Sequence, residues 1–370
     1  MRANRYMAVI VGAALAVSFA LPGVASAQDE KYLQGMKAFQ EGNMSEAETI
    51  FREVCAEYED AGVPWGWCHM LLGATLGQMG AAKRQEALAQ LEIARELVTE
   101  DAERYQTLSS IANIHLLDRN WGQAIASAND AAAFASADQQ GLLAKIKGQA
   151  YYQQQDYEKA VAELETAVQS RPSEANLHAF LGRSYFELDD NDKALPELTQ
   201  AAQLDRNNRI GLFFAARIYL NDGNYPQAVA MAERAIQSHP QDTSIRNLLG
   251  SAYLGVDRYA DAIQQFEVVI QDRPNDATAI YNLGQAYTQT ENWPKAIEQY
   301  QKAQNLFPAG GSTQALLLYD LGIAFETIGR HDDALKAYGD SAAISDNVDK
   351  QDAIERVQER IRRAKGKGGQ

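Results

Sequence analysis

The chain has few of the residues that build catalytic and metal sites. Its 370 residues include two cysteines and five histidines, and the histidines are scattered singly along the sequence. The sequence has no His-Glu-x-x-His pair, no Gly-x-Ser-x-Gly turn around a nucleophile and no Walker-type phosphate loop. We therefore predict that the protein is not an enzyme and that it holds no metal ion and no cofactor.

Positive charge is also scarce. The chain has 34 basic and 49 acidic residues, which gives a formal net charge of −15. Proteins that bind nucleic acid neutralise phosphates with lysine and arginine, and this chain has too few of them for that role. We therefore predict no nucleic-acid partner, and we attribute most of the acidity to solvated helix faces and turns.

Long apolar runs are absent except at the N-terminus. Arg2 and Arg5 precede an apolar run over residues 7–21, and the small residues 25–27 follow it. This succession is typical of a secretory signal peptide, so we predict a signal peptide over residues 1–27 with cleavage after Ala27. The alternative is a retained membrane anchor, but the run is shorter than the roughly 20 residues that a spanning helix needs. Cleavage would leave a mature charge of 32 − 49 = −17 and a soluble, periplasmic or secreted protein with no membrane insertion.

Export determines how the two cysteines are interpreted. Cys55 and Cys68 lie on either side of predicted turn residues 61–64. In an oxidising compartment two cysteines are more often paired than free, so we predict a Cys55–Cys68 disulfide. The alternative is two small buried thiols that pack as hydrophobic residues.

The rest of the chain is repetitive. Nine alanines recur at intervals of 34 to 40 residues, and four consecutive intervals are 34. A small residue stands 12 positions before each alanine, or 14 positions before the second, and we expect it to face the alanine so that two helices cross closely. Apolar residues at helical spacing follow both positions, with turn residues between them, which predicts stacked units of helix, turn and helix. The alanines, which number the repeats from 1 to 9, are Ala47, Ala87, Ala124, Ala160, Ala194, Ala228, Ala262, Ala296 and Ala334.

Leu249-Gly250, Tyr253, Ala262, Phe266 and Pro274 stand at the positions that define one well-known repeat. On these residues the chain resembles the tetratricopeptide repeat family over residues 28–346. The resemblance implies an all-α fold, a right-handed superhelical solenoid of about nine helix-turn-helix repeats. Residues 347–370 leave the pattern, and their stripe of Ile354, Val357 and Ile361 predicts a C-terminal capping helix followed by a basic tail.

The resemblance also implies that the first helix of each repeat lines a concave groove. In repeats 4 to 7, the groove positions carry aromatic and aliphatic residues, with Arg183 and Arg217 at identical places of neighbouring repeats. Arginines framed by apolar surface are typical of a binding site. The alternative is that the phenylalanines pack between helices and the arginines are solvated. The predicted partner groove comprises Lys145, Tyr152, Phe180, Arg183, Phe186, Phe213, Phe214, Arg217 and Leu220.

These observations predict a non-catalytic periplasmic scaffold that binds a peptide or protein partner in its groove, in an envelope assembly, secretion or maturation complex. The alternative is a scaffold for an exported polysaccharide. The groove positions of repeats 4 to 7 carry no acidic residue, which favours a peptide over a cationic polymer. Trp65 and Trp67 lie outside the repeat pattern and either cover a turn or stack on a ligand.

Overall fold

The computed structural model describes residues 27–345 and 348–367. These residues form 19 α-helices and a short 3-10 helix, with no strand among them, so the all-α prediction is confirmed. The chain divides into two compact units, residues 1–197 and residues 198–370. The predicted signal peptide lies outside the described residues except for Ala27.

The first unit contains helices α1 to α9 and the beginning of α10, and consecutive helices from α1 to α9 pack against one another. The 3-10 helix Ala81–Lys83 precedes α4. The helices are α1 (Ala27–Glu41), α2 (Met44–Asp60), α3 (Gly66–Gln78), α4 (Arg84–Leu97), α5 (Asp101–Leu117), α6 (Trp121–Ala132), α7 (Ala137–Gln153), α8 (Tyr157–Ser170), α9 (Ala175–Glu187) and α10 (Asn191–Leu204).

The second unit contains the end of α10 and helices α11 to α19, and consecutive helices from α11 onward again pack against one another. They are α11 (Arg209–Asn221), α12 (Tyr225–Ser238), α13 (Thr243–Gly255), α14 (Tyr259–Asp272), α15 (Ala277–Gln289), α16 (Trp293–Gln304), α17 (Ser312–Thr327), α18 (His331–Ile344) and α19 (Val348–Lys367). Odd-numbered helices up to α17 are the first helices of their repeats, and even-numbered ones are the second helices.

The two helices of a repeat meet at the recurrent small residues, but in a different way from the prediction. Ala262 and Ala296 are fully buried, yet the glycine of the first helix does not have the alanine as its nearest neighbour. A Cβ atom on Gly250 would lie 2.7 Å from the ring of Phe266, and one on Gly284 would lie 2.6 Å from the ring of Tyr300. The expectation that small faces small is therefore wrong here, because the glycine provides the space for the large residue that follows the alanine by four positions.

The turn inside each repeat has one recurrent backbone conformation. In eight of the nine repeats, the residue five positions before the alanine has a positive φ. This residue is a glycine in three repeats, as at Gly223, and carries a side chain in five, as at Gln155 (φ 62°) and Glu291 (φ 56°). The turn therefore depends on backbone geometry that several residue types adopt.

A hydrogen bond between tyrosine and glutamate joins neighbouring repeats. The hydroxyl of Tyr253 donates to Glu233 over 2.8 Å, and that of Tyr287 donates to Glu267 over 2.9 Å. In both pairs the glutamate is in the second helix of the preceding repeat, 20 residues earlier. The tyrosine of the repeat pattern thus fixes the contact between repeats as well as filling the core.

Helix α19 covers the last repeat. Val357 is fully buried in the same apolar cluster as Tyr338 of α18. Glu326 of α17 accepts hydrogen bonds from Tyr338 over 2.9 Å and from Arg356 of α19 over 3.0 Å, and Arg360 lies 3.0 Å from it. Burial alone would raise the pKa of Glu326, but Arg356 and the other donors outweigh burial and lower it. One carboxylate therefore ties α19 to the repeat beneath it.

Candidate functional site

The first half of the predicted groove lies in the first unit. The ring of Tyr152 packs against that of Phe180, with 4.8 Å between centroids, and the guanidinium of Arg183 lies 5.4 Å from the Tyr152 centroid. Nε of Arg183 also donates to Glu187 on the same helix over 3.3 Å. Tyr152 was predicted to be exposed in the groove, but it is buried (7% exposed). Phe180 and Arg183 both pack against its ring.

Lys145, another groove residue of this half, is held by an ion pair. Its Nζ donates to Glu174 over 2.6 Å, and Arg171 donates to the same carboxylate over 3.0 Å. Burial would raise the pKa of Glu174, but the two cations outweigh it and lower the pKa. Lys145 therefore has a partner inside the protein, and we assign its main role to the packing of α7 against the turn before α9.

The second half of the predicted groove lies in the second unit. Phe213 is half-buried and its ring stands edge-on to Phe214, with 5.1 Å between centroids. Phe214 differs from the prediction, because it is only 6% exposed and is part of the core. Leu220 is half-buried against the large apolar cluster, whereas Arg217 is exposed. Of this half, Arg217 is exposed, and Phe213 and Leu220 are partly exposed.

A pocket opens in the second unit, C-terminal to the predicted groove. Its volume is about 300 Å³, which is at the lower end of the range for sites that hold a small group. Most of its wall comes from the first helices α13, α15 and α17. The lining residues are Leu254, Asp257, Tyr259, Gln285, Thr288, Gln289, Tyr300, Asp320 and Ile323.

Asp320 is the acidic residue of this wall that burial affects most. The hydroxyl of Tyr281 donates to its carboxylate over 2.7 Å, and Gln285 donates to that hydroxyl over 3.0 Å. Burial raises the pKa of Asp320, and the hydrogen bonds from Tyr281 and Gln285 oppose the rise without cancelling it. A partly desolvated carboxylate of this kind is stabilised when a cation enters the pocket beside it.

The sequence contained a signal for this pocket that the groove prediction did not use. The prediction covered repeats 4 to 7, and Leu254 is the last groove position of repeat 7. Counting the same positions onward gives Gln285 and Thr288 in repeat 8 and Ile323 in repeat 9, all of which line the pocket. Asp320 occupies the position next to this stripe. Its burial could not be predicted, because it depends on the packing of Tyr281 from the neighbouring repeat.

The tryptophans near the N-terminus belong to an aromatic cluster. The ring of Trp65 lies 4.9 Å from that of Tyr58 and 5.6 Å from that of Tyr32. Trp67 is buried (7% exposed), and its Nε1 donates to the hydroxyl of Tyr32 over 3.2 Å. These contacts favour a structural role in the turn between α2 and α3 over ligand stacking.

Cys55 of α2 and Cys68 of α3 are neighbours. Their Cα atoms are 5.5 Å apart and their sulfur atoms are in contact. This Cα separation is in the range that a disulfide requires. Both residues are buried, with Cys68 only 1% exposed.

Comparison with known families identifies the class of protein. Models of the tetratricopeptide repeat match residues 275–347, 214–277 and 175–208, and a model described as TPR repeat matches residues 148–189. The chain belongs to the tetratricopeptide repeat family. Proteins of this family mediate protein–protein interactions and are typically non-catalytic scaffolds. Within the described part of the chain, no helix has the length and apolar character needed to span a bilayer.

Solved structures with similar folds include several repeat proteins. The chain is 24% identical to MamA over 44% of this chain and 94% of MamA, with a TM-score of 0.40. It is 16% identical to YrrB, described as a TPR protein with an unusual peptide-binding site, over 53% of this chain and 97% of YrrB, with a TM-score of 0.46. It is 18% identical to the C-terminal part of a TPR repeat-containing protein from Cytophaga hutchinsonii, over 66% of this chain and 98% of that chain, with a TM-score of 0.49. No curated protein matches the chain.

Proposed function

We propose that this protein is a non-catalytic periplasmic scaffold that binds an extended segment of a partner protein along the first helices of its repeats, within an envelope assembly, secretion or maturation complex. The observation that carries the proposal is the pocket of repeats 7 to 9. Side chains of the first helices form most of its lining, and Asp320 contributes a carboxyl group to it. A segment bound along these helices would place one side chain in the pocket and the next ones on neighbouring repeats.

The chemistry of the pocket selects the side chain that enters it. The carboxylate of Asp320 already accepts one hydrogen bond from Tyr281 and retains further lone pairs for a second donor. An ammonium or guanidinium group would supply that donor and a compensating charge at once. The acidic mature chain also favours encounter with a basic segment at low salt. We therefore propose a lysine or arginine of the partner as the occupant.

Arg183 and Arg217 remain proposed anchors for carboxylates of the partner. Arg183 belongs to the first unit and Arg217 to the second. Arg183 lies against the face of Tyr152 with its side chain one-third exposed, and its pairing with Glu187 is a surface ion pair, a kind that contributes little to stability. Arg217 is exposed, and Leu220, three residues later on the same helix, is half-buried. Arg183 thus combines charge with an aromatic neighbour, and Arg217 places charge on the surface of the same helix as Leu220.

Affinity capture with variant proteins tests the proposal. Mature wild-type protein, Asp320→Asn and the matched control Asp340→Asn, which changes an exposed aspartate of α18, are each used to capture proteins from the envelope fraction. We expect one protein set to be recovered by the wild type and the control and to be depleted with Asp320→Asn. Equal recovery by all three would contradict a role for the pocket, and recovery of polysaccharide without protein would contradict the scaffold function.

The periplasmic location rests on the N-terminal segment and needs its own test. Arg2, Arg5, the apolar run and the small residues 25–27 support export and cleavage after Ala27. N-terminal sequencing of the native protein should begin at Gln28, with the protein in the periplasmic fraction. Met1 at the start of a membrane-bound protein would refute this assignment.

We also propose that Cys55 and Cys68 form a disulfide in the exported protein. The bond would join α2 to α3 and so fasten repeat 1 to repeat 2. Because it closes a loop with a sequence separation of 13, its entropic contribution is at most about 3 kcal/mol. Thiol labelling of the unfolded, unreduced protein should find no reactive cysteine, and two labelled thiols would exclude the bond.

A further inference from the structure

Cys55, Cys68 and His69 form a buried cluster of potential metal ligands between repeats 1 and 2. One ligand atom from each residue lies within 4.8 Å of those of the other two. The residues are between 1% and 4% exposed, so the cluster is shielded from water. Two thiols and an imidazole are the ligand set of many zinc sites.

The hydrogen bonding of His69 leaves one ring nitrogen without a donor or acceptor partner. Nδ1 lies 2.8 Å from Oε1 of Gln90, and because that oxygen only accepts, the neutral ring has its proton on Nδ1 and a lone pair on Nε2. Nε2 is buried with no hydrogen-bond partner, although Oε1 of Glu59 lies 3.3 Å away. Two lone-pair atoms at this distance repel each other unless a proton or a metal cation lies between them.

We propose that, with the two cysteines in the dithiol form, this cluster binds one zinc ion through Cys55 Sγ, Cys68 Sγ and His69 Nε2, and that the half-exposed Glu59 side chain moves in from the rim of the cluster as the fourth ligand. In tetrahedral zinc sites with Zn–N and Zn–O near 2.0 Å, bound nitrogen and oxygen atoms are about 3.3 Å apart. This is the separation of His69 Nε2 from Glu59 Oε1. Glu59 stands one helical turn after Cys55 on α2, so both approach the ion from the same helix.

Gln90 of α4 would act as the positioning residue. A ligating histidine usually donates its second ring N–H to a fixed oxygen, which sets the tautomer and the ring orientation, and Gln90 provides that oxygen. Binding would transfer the two thiol protons to solvent and leave two thiolates on the ion. Formation of the Cys55–Cys68 disulfide removes both thiolates, so the disulfide and the zinc site are alternative states of the same residues.

Zinc competition on the mature protein tests the proposal. The protein is reduced with a phosphine under argon and titrated with zinc against a chromophoric chelator. We expect one zinc per chain for the reduced wild type, and none for the same protein oxidised to the disulfide. Cys55→Ser and His69→Ala should weaken binding by at least about 100-fold, and Gln90→Ala by about 10–100-fold. The control His331→Ala, at the start of α18, should bind as the wild type does.

Circular dichroism and hydrogen exchange of α3 establish that each variant is folded. If the reduced, folded wild type leaves zinc with the chelator, the site does not exist. Unchanged zinc affinity in folded His69→Ala would equally overturn the proposal, because two cysteines alone would then account for binding. The reduced wild type is the deciding sample, so the test holds even if a variant of repeat 2 unfolds.

Discussion

Replacing Gly284 with alanine tests whether the glycine of the first helix makes room for the ring of the second. A Cβ atom at position 284 would lie 2.6 Å from Cε1 and 2.7 Å from Cδ1 of Tyr300. That ring is 1% exposed, and its hydroxyl lies 3.0 Å from Oγ1 of Thr288. Because both ends of the tyrosine are held, the ring cannot move aside without losing packing or this hydrogen bond.

Two opposing contributions set the expected magnitude. Alanine favours the helix over glycine by about 1 kcal/mol, whereas an extra methyl group in a filled core costs about 1–3 kcal/mol. If the crowding cost is about 2 kcal/mol and the helix preference offsets about 1 kcal/mol of it, Gly284→Ala should reduce the free energy of unfolding by about 1 kcal/mol. Local structure around α15 and α16 should be affected first, since each repeat contacts its neighbours.

Gly339→Ala is the matched control. Gly339 lies within α18, is exposed, and has nothing within 4 Å of the position where a Cβ would stand. Only the helix preference applies there, so the free energy of unfolding should rise by about 1 kcal/mol. The two substitutions are chemically identical, and the difference between them isolates the cost of crowding Tyr300.

Urea unfolding monitored by hydrogen exchange measures both changes and locates them. Amides of α15 and α16 should lose protection in Gly284→Ala, and amides of α18 should gain it in Gly339→Ala. If both variants are stabilised to the same degree, the ring of Tyr300 yields without cost and the explanation of the glycine is incorrect.

Three further perturbations test the cap, the pocket and the groove. Glu326→Gln should loosen α19, because it removes the carboxylate that Arg356 contacts; hydrogen exchange should show protection lost from α19 inward. The pKa of Asp320 is raised above its ordinary value of 3.8, so ionisation of this carboxyl opposes folding as pH rises above that value. Asp320→Asn should therefore gain stability relative to the wild type as pH rises from 3.8. Urea titrations at several pH values measure this difference. Arg183→Ala with Arg217→Ala should weaken partner binding by about 2–5 kcal/mol by calorimetry if both meet desolvated carboxylates.

Each of these outcomes has a counterpart that would contradict it. Uniform loss of protection along the chain in Glu326→Gln would argue against a local cap. A stability difference for Asp320→Asn that does not change with pH would mean that the carboxyl is as well solvated when folded as when unfolded. A binding loss within about 0.5 kcal/mol for the arginine pair would be that of ordinary surface residues.

The sequence alone predicted the helices well because the repeat supplies independent copies of the same evidence. Ala262 and Tyr253 are core residues as expected, since their spacing recurs from repeat to repeat. The repeat period could not predict which positions of one helix contact which positions of the neighbouring helix. The approach of Gly284 to Tyr300 depends on helix rotation. The burial of Tyr152 depends on Phe180 in the next repeat.

The candidate site shows the same limit. The pairing of Cys55 with Cys68 was predicted from a turn between two helices, but nothing in the pattern linked His69 to them, because its neighbour Gln90 comes from another helix. Asp320 was likewise hidden, because a single aspartate in a chain with 49 acidic residues has no distinguishing signal until its surroundings are known.

The positive-φ turn affects how the repeats are recognised and how the array can be stabilised. Because Gln155 and Glu291 adopt the same conformation as Gly223, each repeat with a side chain at this position carries a backbone cost of roughly 1–2 kcal/mol that glycine avoids. Five of the nine repeats carry this cost. Glycine at this point of the motif is therefore a poor guide to repeat boundaries, and replacing the side chains by glycine one turn at a time is a route to graded stabilisation of the array.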